Sequence, residues 1–305
     1  MLSAFFIFVR GILMGIADSV PGVSGGTVAM IVGIYERLVT AISHFDTKFL
    51  SLLSARKVRQ AASHTDFGFL ATLLLGIIVG LGGSSIFMHS LLTDYRSVTF
   101  GAFMGMILAS VIILYRQIKN KNFACGAAMV IGAFLAWYVT TMNPLTGRDD
   151  DLLYVFGCGL TAICAMILPG ISGSYILLIL GEYEPIIARV KDLASFQTTP
   201  QDLLTLCVFG SGCVIGLLAF SHLLKYLLRV HHSVTISTLT GFMAGSITCL
   251  WPFQKEIENV FQNVSFMEFP IQTRIYALCA FLAGLVGVLA LEKAASLLVP
   301  QKTKK

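Results

Sequence analysis

Charged side chains are scarce in this chain of 305 residues, because Asp, Glu, Lys and Arg make up 12% of it and 56% is hydrophobic. Soluble domains carry about 25% charge. The mean hydropathy is +0.83, and the charges cluster between long apolar stretches. This composition excludes a disordered chain, a nucleic-acid-binding domain and a secreted disulfide scaffold. It predicts a protein whose solvent is mostly lipid.

Motifs for metal or redox chemistry are also missing. The seven cysteines include no CxxC pair, and they lie within apolar segments or open one. Such cysteines behave as small buried hydrophobic residues. We therefore expect no metal site, no cofactor and no disulfide framework. Residues 1–15 lack a basic start and a small-residue cleavage site, so we expect this segment to be retained rather than removed as a signal peptide.

Long apolar runs dominate what is present. A membrane-spanning helix needs about 20 mostly apolar residues. Six uninterrupted segments meet this requirement, at about 67–91, 97–115, 124–141, 203–228, 235–252 and 273–298. Two further apolar regions, at about 2–42 and 152–189, are broken in the middle by Pro, Gly and Ser. The chain is therefore predicted to be an all-α polytopic membrane protein.

The loop charges predict an orientation. Lys and Arg mark the cytoplasmic loops of membrane proteins, and here they concentrate in loops 43–66 and 116–123, whereas loops 142–151 and 254–271 are mainly acidic. With the basic loops in the cytoplasm, every crossing alternates if each broken region returns to the side it entered. The broken regions are therefore predicted to be re-entrant hairpins. We expect the net charge of +5 to reflect this orientation and not a nucleic-acid partner.

The two broken regions are copies of each other. Ala17–Glu36 aligns with Ala165–Glu184 without a gap, and nine of the twenty positions are identical. We predict two repeats, at 1–145 and 146–305, each a broken re-entrant helical hairpin followed by three transmembrane helices. Three crossings per repeat is an odd number, so the second repeat is inverted relative to the first. Inverted repeats with broken helices are typical of secondary transporters.

Each break has the chemistry of a helix end followed by a helix start. Pro21–Gly22 and Pro169–Gly170 stop a helix, and Ser24 and Ser172 suit the N-cap of the next one. A helix start presents free N–H groups, which favour anions such as phosphate. The predicted substrate-binding residues are Ser24, Gly25, Gly26, Thr27, Ser172, Gly173, Ser174 and Tyr175. We expect these two tips to face each other across a pseudo-two-fold axis. Capping without a ligand is the alternative for each serine.

Asp18 is a candidate for coupling or gating, because it aligns with Met166 and so breaks the symmetry of the repeats. An acidic group within a broken intramembrane helix is a functional hypothesis by default. It suits a proton or a coupling cation, and plain capping is the alternative.

Glu36 and Glu184 are further candidates, because both repeats end their second arm in Gly-x-Tyr-Glu. They follow the cap serines by about 12 residues, which is about 18 Å along a continuous helix. This spacing places them near a membrane surface, where a solvated helix end is the alternative to a gating or ion-pair role. Tyr35 and Tyr183 are expected to be interfacial anchors.

Two cations on one helix, Lys225 and Arg229, complete the candidates. They follow helical spacing at the end of the 203–228 span and in the turn after it, where they suit attraction of a lipid phosphate from the cytoplasmic side. A positive-inside anchor is the alternative. Small residues at i, i+4 spacing are expected to allow close helix packing rather than chemistry; they are Gly76, Gly80, Gly101, Gly105, Gly241 and Gly245.

The paired Pro-Gly-[Val/Ile]-Ser-Gly motifs, each followed by Gly-x-Tyr-Glu, resemble those of the polyprenyl-phosphate transporters, also called undecaprenyl-phosphate translocases. The resemblance implies a multi-pass protein of the bacterial cytoplasmic membrane. It further implies a flippase, not an enzyme, whose partner is a polyprenyl phosphate lipid and which returns undecaprenyl phosphate for reuse in cell-wall assembly. Coupling to protons or sodium and the formation of a homo-oligomer stay open.

Two other functions remain as alternatives. A small-anion or ion-coupled transporter would use the same helix tips. An integral-membrane lipid phosphatase is less favoured, because no set of side chains suited to activating water is visible in the sequence.

Overall fold

The structure, a computed structural model, describes residues 4–19, 24–142, 151–257 and 260–298. The first half of the chain contains eight helices in the described ranges. They are α1 (Ala4–Asp18), α2 (Gly25–Ile31), α3 (Tyr35–Ser43), α4 (Thr47–Ser54), α5 (Val58–His64), α6 (Phe67–Thr93), α7 (Arg96–Gln117) and α8 (Phe123–Thr140).

The second half continues with the same kinds of element. It contains α9 (Leu152–Ile167), α10 (Gly173–Ile179), α11 (Tyr183–Ala194), α12 (Pro200–Val230), α13 (His232–Ser246), β1 (Gln254–Ile257), β2 (Val260–Asn263) and α14 (Ile271–Leu298). Short 3-10 turns lie at Ile247–Leu250 and Phe266–Glu268. The two strands form a small antiparallel ribbon in which Gln254 pairs with Asn263. The ribbon is an addition to the predicted all-helical architecture and does not alter its class.

The six predicted spans are confirmed, because six segments of the described chain are helical, long and apolar enough to cross a membrane. They are α6, α7, α8, α12, α14 and α13 with the turn that follows it. Local sequence explains where some of them begin. The Asn122 side chain accepts the Cys125 amide at 2.9 Å to start α8, and Thr199 and Asp202 form a capping box before α12.

The centre of the bundle is made by α7 and α13. About half of each span is buried, at 50% and 56% of its residues, against 11% for α14. The outer helices pack on this centre in pairs, since α14 lies along α7 and α8 lies along α13. Two other extensive pairs, α1 with α6 and α9 with α12, flank them.

Equivalent elements recur in the two halves. Helices α2 and α10 begin and end at aligned positions, and α3 and α11 both begin at the aligned tyrosines. The helix pairs correspond as well, because α1–α6 matches α9–α12 and α7–α14 matches α13–α8. The third span of each half therefore packs on the second span of the other half. The inversion of the repeats, the re-entrant course of the two hairpins and the boundary near residue 145 stay predictions.

Close packing at the small residues is confirmed. A Cβ atom at Gly105 of α7 would collide with the carbonyl oxygen of Phe281 in α14, and one at Gly245 of α13 would collide with that of Ala133 in α8. A Cβ atom at Gly76 of α6 would collide with the Phe8 carbonyl in the same way. The glycines let helix backbones touch, as in other membrane helix pairs.

The expectation of one continuous second arm in each hairpin is wrong. Helix α2 ends at Ile31, and Gly33 follows with φ +70. The Ile34 amide bonds to the Ala29 carbonyl and the Gly33 amide to that of Met30, which is the Schellman pattern of a helix end. Helix α3 then departs at 119° from α2. The helical distance of about 18 Å from Ser24 to Glu36 does not apply.

In the second hairpin, helix α10 ends in the same way as α2. Gly181 has φ +75, and the Glu182 and Gly181 amides bond to the Leu177 and Leu178 carbonyls. Each hairpin thus has two breaks, one between its first two helices and one at its Gly-x-Tyr-Glu. Pro21 and Gly22 lie outside the described residues, whereas Pro169 and Gly170 lie in the turn between α9 and α10.

Candidate functional site

The first break of one hairpin lies against the first break of the other. Thr27 in α2 accepts a hydrogen bond on its hydroxyl oxygen from the Gly170 amide at 2.9 Å. The Ser24 hydroxyl donates to the Met166 carbonyl at 3.3 Å. Segments that are far apart in sequence therefore meet inside the protein. They satisfy backbone groups that the Pro-Gly break would leave unpaired in lipid.

Tyr35 reinforces this junction. It is 3% exposed, and its hydroxyl donates to the Ile167 carbonyl at 3.1 Å. The expectation that Tyr35 anchors at the membrane interface is wrong, because α3 turns back and carries this ring into the core. Tyr183, the equivalent residue of the second repeat, is exposed.

The tip of the first hairpin is closed. Ser24, Gly25, Gly26 and Thr27 are all buried. Ser24 caps α2 as predicted, since its hydroxyl oxygen accepts the Gly26 amide at 3.1 Å. The Gly25 amide donates to a carboxylate oxygen of Asp18. The tip amides of Gly25 and Gly26 are thus already paired within the protein.

The carboxylate of Asp18 occupies the position at the start of α2 where we expected an anionic ligand to bind. Asp18 is the last residue of α1, and its carboxylate lies so close to Gly25 that a Cβ atom there would meet Asp18 Oδ2 at 2.5 Å. The equivalent Met166 is exposed, so the second hairpin has no matching carboxylate. Next to Asp18, the Ser19 hydroxyl accepts a hydrogen bond from Ser84 of α6 at 3.0 Å.

The tip of the second hairpin is more open. Ser172 is half-buried and Ser174 is exposed, and their hydroxyl oxygens lie 2.7 Å apart. The expectation that Ser172 caps α10 through its side chain is wrong, because its hydroxyl turns to Ser174 instead. Gly173 is buried against the Ala162 carbonyl. Tyr175 closes one side, since its hydroxyl donates to the Thr140 carbonyl at 2.9 Å.

The remaining candidates lie away from this junction. Glu36 is exposed at the start of α3 and lies 3.7 Å from His232 of α13. Glu184 is exposed. Lys225 is half-buried. Burial lowers the pKa of the His44 imidazole, and the positive charge of Lys225 lowers it further. Arg229 is exposed. Glu36 and Glu184 thus lie at the second break of each hairpin, and none of the four residues contributes to the contact between the two first breaks.

Sequence reasoning missed Glu182, which is fully buried at the second break of the second hairpin. Its aligned position in the first hairpin is Ile34, so it breaks the symmetry as Asp18 does. The same comparison of the two repeats contains the signal for it. Nearby, Arg189 of α11 pairs with Asp202 of α12 at 3.3 Å, and the Tyr154 hydroxyl donates to the Leu180 carbonyl at 2.7 Å.

Acidic, histidine and cysteine side chains do not gather into a metal centre anywhere in the described ranges. At the junction the amides of Gly25, Gly26 and Gly170 are paired within the protein. The more open hydroxyls of Ser172 and Ser174 are able to donate to a small anionic group, by hydrogen bonds that a charged acceptor strengthens.

The sequence profile of the undecaprenyl phosphate translocase-like family matches residues 14–267. A polyprenyl-phosphate transporter of Vibrio cholerae serotype O1 is 37% identical over 302 residues, which cover 94% of this chain and 95% of that protein. A polyprenyl-phosphate transporter of Staphylococcus aureus is 29% identical over 255 residues, which cover 80% of this chain and 84% of that protein. No solved structure matches the chain. The sequence match, the six spans and the paired helix breaks agree, and the chain belongs to the undecaprenyl phosphate translocase-like family of multi-pass membrane proteins.

Proposed function

We propose that this protein is a transporter that moves polyprenyl phosphate, specifically undecaprenyl phosphate, across the bacterial cytoplasmic membrane. The lipid carrier is thereby returned for another round of cell-wall synthesis. The family match and the names of the two relatives support this substrate class. The same names support a transporter and not an enzyme.

The observation that carries the proposal is the contact between the two hairpin breaks, made by Thr27 with Gly170 and by Ser24 with Met166. A polyprenyl phosphate has one anionic head on a long apolar chain. The head needs polar partners inside the protein, because an unpaired charge in lipid is very costly. The isoprenoid chain of the lipid needs no polar partners, and it stays in the bilayer while the headgroup moves.

In this proposal the headgroup binds at the open tip, at the hydroxyls of Ser172 and Ser174, before it reaches the closed tip. At the closed tip, the Asp18 carboxylate accepts the hydrogen bond of the Gly25 amide, so this amide is not free to bind a phosphate. Two anions repel each other at such short range. A phosphate reaches the Gly25 amide only when Asp18 is neutralised by a proton or a cation, or turns away. Asp18 would in this way couple headgroup transfer to protons or sodium.

A reconstituted transport assay tests the function. The full-length protein is placed in liposomes with a fluorescent polyprenyl phosphate, and a membrane-impermeant quencher reports how much lipid each leaflet exposes, with and without a pH gradient. We expect protein-dependent movement of the lipid between leaflets. Uptake of inorganic phosphate without lipid movement would favour the small-anion transporter, and release of phosphate from the lipid would favour the phosphatase.

Removing the open-tip hydroxyls tests the site. The double variant Ser172→Ala, Ser174→Ala is expected to lower the transport rate at least about tenfold, since a hydrogen bond to a charged group contributes about 1.5–3 kcal/mol. The matched control is Ser211→Ala, whose hydroxyl bonds only to its own helix at Val208. Equal transport rates in the wild type, the double variant and the control would show that the open tip takes no part in transport.

Replacing Asp18 by Asn tests the coupling. The amide oxygen of Asn still accepts the Gly25 amide, so the cap is kept and the charge is lost. We expect the response of transport to a pH or sodium gradient to disappear while the protein still elutes as a folded species. A gradient response equal to that of the wild type would show that Asp18 serves only as a cap.

A further inference from the structure

A second feature suited to an amphipathic ligand lies at the end of the molecule that carries the β-ribbon. There, a groove of about 430 Å³ runs between α7, α14 and the segment around the ribbon. Its walls include Met104 of α7, Phe253 and Phe266 of the ribbon segment, and Leu278 and Phe281 of α14. We call it the ribbon groove.

The ribbon groove opens on the outer surface of α14. Ile275 and Leu278, which line it, are 51% and 58% exposed on the outer surface of α14. The opposite wall is held in place, because the Trp251 indole donates to the Val264 carbonyl at 2.9 Å and its ring packs edge-on against Phe253. Because α14 is long and apolar enough to span a membrane, we expect this surface to face lipid and to admit an apolar chain from the bilayer.

Arg274 is the charged member of the residues found lining this groove. Its Nε atom is buried without a hydrogen-bond partner in the described part of the chain. One terminal nitrogen lies 3.4 Å from the Met267 sulfur, which is a weak acceptor, and the guanidinium lies 5.8 Å from the centre of the Phe266 ring.

The position of Arg274 makes an anion still more favourable. It belongs to the first turn of α14, which contains no acidic residue. A cation at the positive end of a helix dipole is disfavoured, and an anion there is stabilised. Lys255 of β1 differs from Arg274, because it has an acidic partner: its ammonium pairs with Glu268 at 2.8 Å.

We propose that the ribbon groove is a docking site for polyprenyl phosphate, with the phosphate on Arg274 and the first isoprenoid units against Met104, Leu278 and Phe281. The inference rests on the proposed function and adds an entry site for the same lipid, apart from the helix breaks. Arg274 and Phe281 are about 10 Å apart along α14, so the groove receives the head and the start of the chain only. The loop charges predict that the ribbon end faces outwards, and the groove then collects lipid from the outer leaflet.

Photo-crosslinking tests the proposal. The full-length protein is placed in phosphatidylcholine nanodiscs with a polyprenyl phosphate that carries a diazirine on its first isoprenoid units, and the labelled peptides are identified by mass spectrometry. We expect labelling of α14 near Leu278 and Phe281, with competition from unlabelled polyprenyl phosphate. Equal competition from phosphatidylglycerol would overturn the proposal, because the groove would then be a general contact for anionic lipids.

The charge is tested by a matched pair of variants. Arg274→Gln is expected to weaken lipid binding and lower groove labelling at least about tenfold, whereas Lys255→Gln loses the same charge nearby and is expected to change both less than about twofold. Thermal unfolding and gel filtration confirm that both variants fold. If the wild type transports the lipid and Arg274→Gln binds it equally well, the docking site is wrong and the proposed function stands. If the wild type neither transports nor binds the lipid, both the docking site and the proposed function are wrong.

Discussion

At the scale of single residues, the junction of the two hairpins depends on a few buried polar contacts. The Thr27 side chain is 1% exposed and supplies the oxygen that the Gly170 amide needs. Gly170 has φ +88 and lies against the backbone of Met243 in α13. A larger residue would not fit there, so this turn has little freedom to find another partner for its amide.

Thr27→Val tests this contact, because it keeps the shape of the side chain and removes the acceptor. We expect a loss of about 1–3 kcal/mol in the free energy of unfolding, since the Gly170 amide is left buried and unpaired. Thermal unfolding of the purified protein in detergent measures the change. Thr161→Val is the control, because its exposed hydroxyl bonds only within α9. A similar loss in both variants would mean that Thr27 has no special role.

Predictions for single residues were right where neighbours in sequence determine the position of a side chain. They were wrong where tertiary contacts determine it. Ser24 caps its helix as expected from its neighbours in sequence. Ser172 has nearly the same neighbours, but its hydroxyl faces Ser174. Tyr35 looked like an interfacial residue, but the turn at Gly33 carries it into the core. The difference arises from the tertiary environment of each copy, which the repeat sequence does not contain.

At the scale of elements, helices pack through backbone contact at glycines. Gly105 of α7 faces the backbone of Phe281 and Leu285 in α14, and neither partner is a flexible side-chain end. Gly126 of α8 has nothing within 4 Å of the place where a Cβ atom would lie. The two glycines are both helical and differ in what surrounds them.

This difference predicts opposite results for one type of substitution. Gly105→Ala is expected to destabilise the protein by about 1–3 kcal/mol, because overpacking pushes α7 away from α14. Gly126→Ala is expected to be neutral or to stabilise by up to about 1 kcal/mol, since Ala favours helix more than Gly does. Unfolding measured in the same detergent compares them. Equal stability of the two variants would contradict the packing of α7 on α14.

The segment between α3 and α6 supplies a pH-dependent element. Asp46 caps α4 by accepting the Phe49 amide at 2.9 Å, and it also lies 3.0 Å from the His64 imidazole. Burial works against ionisation of this carboxyl group. The amide and the imidazole outweigh burial and hold the pKa of Asp46 below its ordinary value of 3.8.

A lowered carboxyl pKa stabilises the folded segment at pH values above 3.8, and this stabilisation is lost as the pH falls through the lower folded value. We expect the amides of α4 to lose protection from hydrogen exchange below about pH 3.8, after correction for intrinsic rates. In Asp46→Asn this acid-dependent loss should be absent, because Asn caps equally well and does not titrate. Identical pH profiles for the two proteins would refute this account of α4.

At the scale of the whole molecule, the two halves interlock. Helix α8 of the first half lies along α13, and α14 of the second half lies along α7. Neither half can bury its own second span without the other. The protein is therefore expected to unfold as one unit, although its sequence consists of two repeats.

The inversion of the repeats is tested by labelling equivalent connections. Asp94, between α6 and α7, and His231, between α12 and α13, are both exposed. With the exposed Cys207 and Cys279 replaced by Ala, Asp94→Cys is expected to react with a membrane-impermeant maleimide in intact cells. His231→Cys should react only after permeabilisation. Reaction of both from the same side would rule out the inverted arrangement.

The sequence by itself determined the membrane class, the six crossings and the paired breaks, because these follow from the length of apolar runs and from the local chemistry of Pro, Gly and Ser. It also contained the equivalence of α2 with α10 and of the helix ends at Gly33 and Gly181. Only the tertiary structure decided that Asp18 fills one tip while the other stays open, and that Arg274 lies in an apolar groove. These features depend on contacts between residues distant in the chain, and no local pattern encodes them.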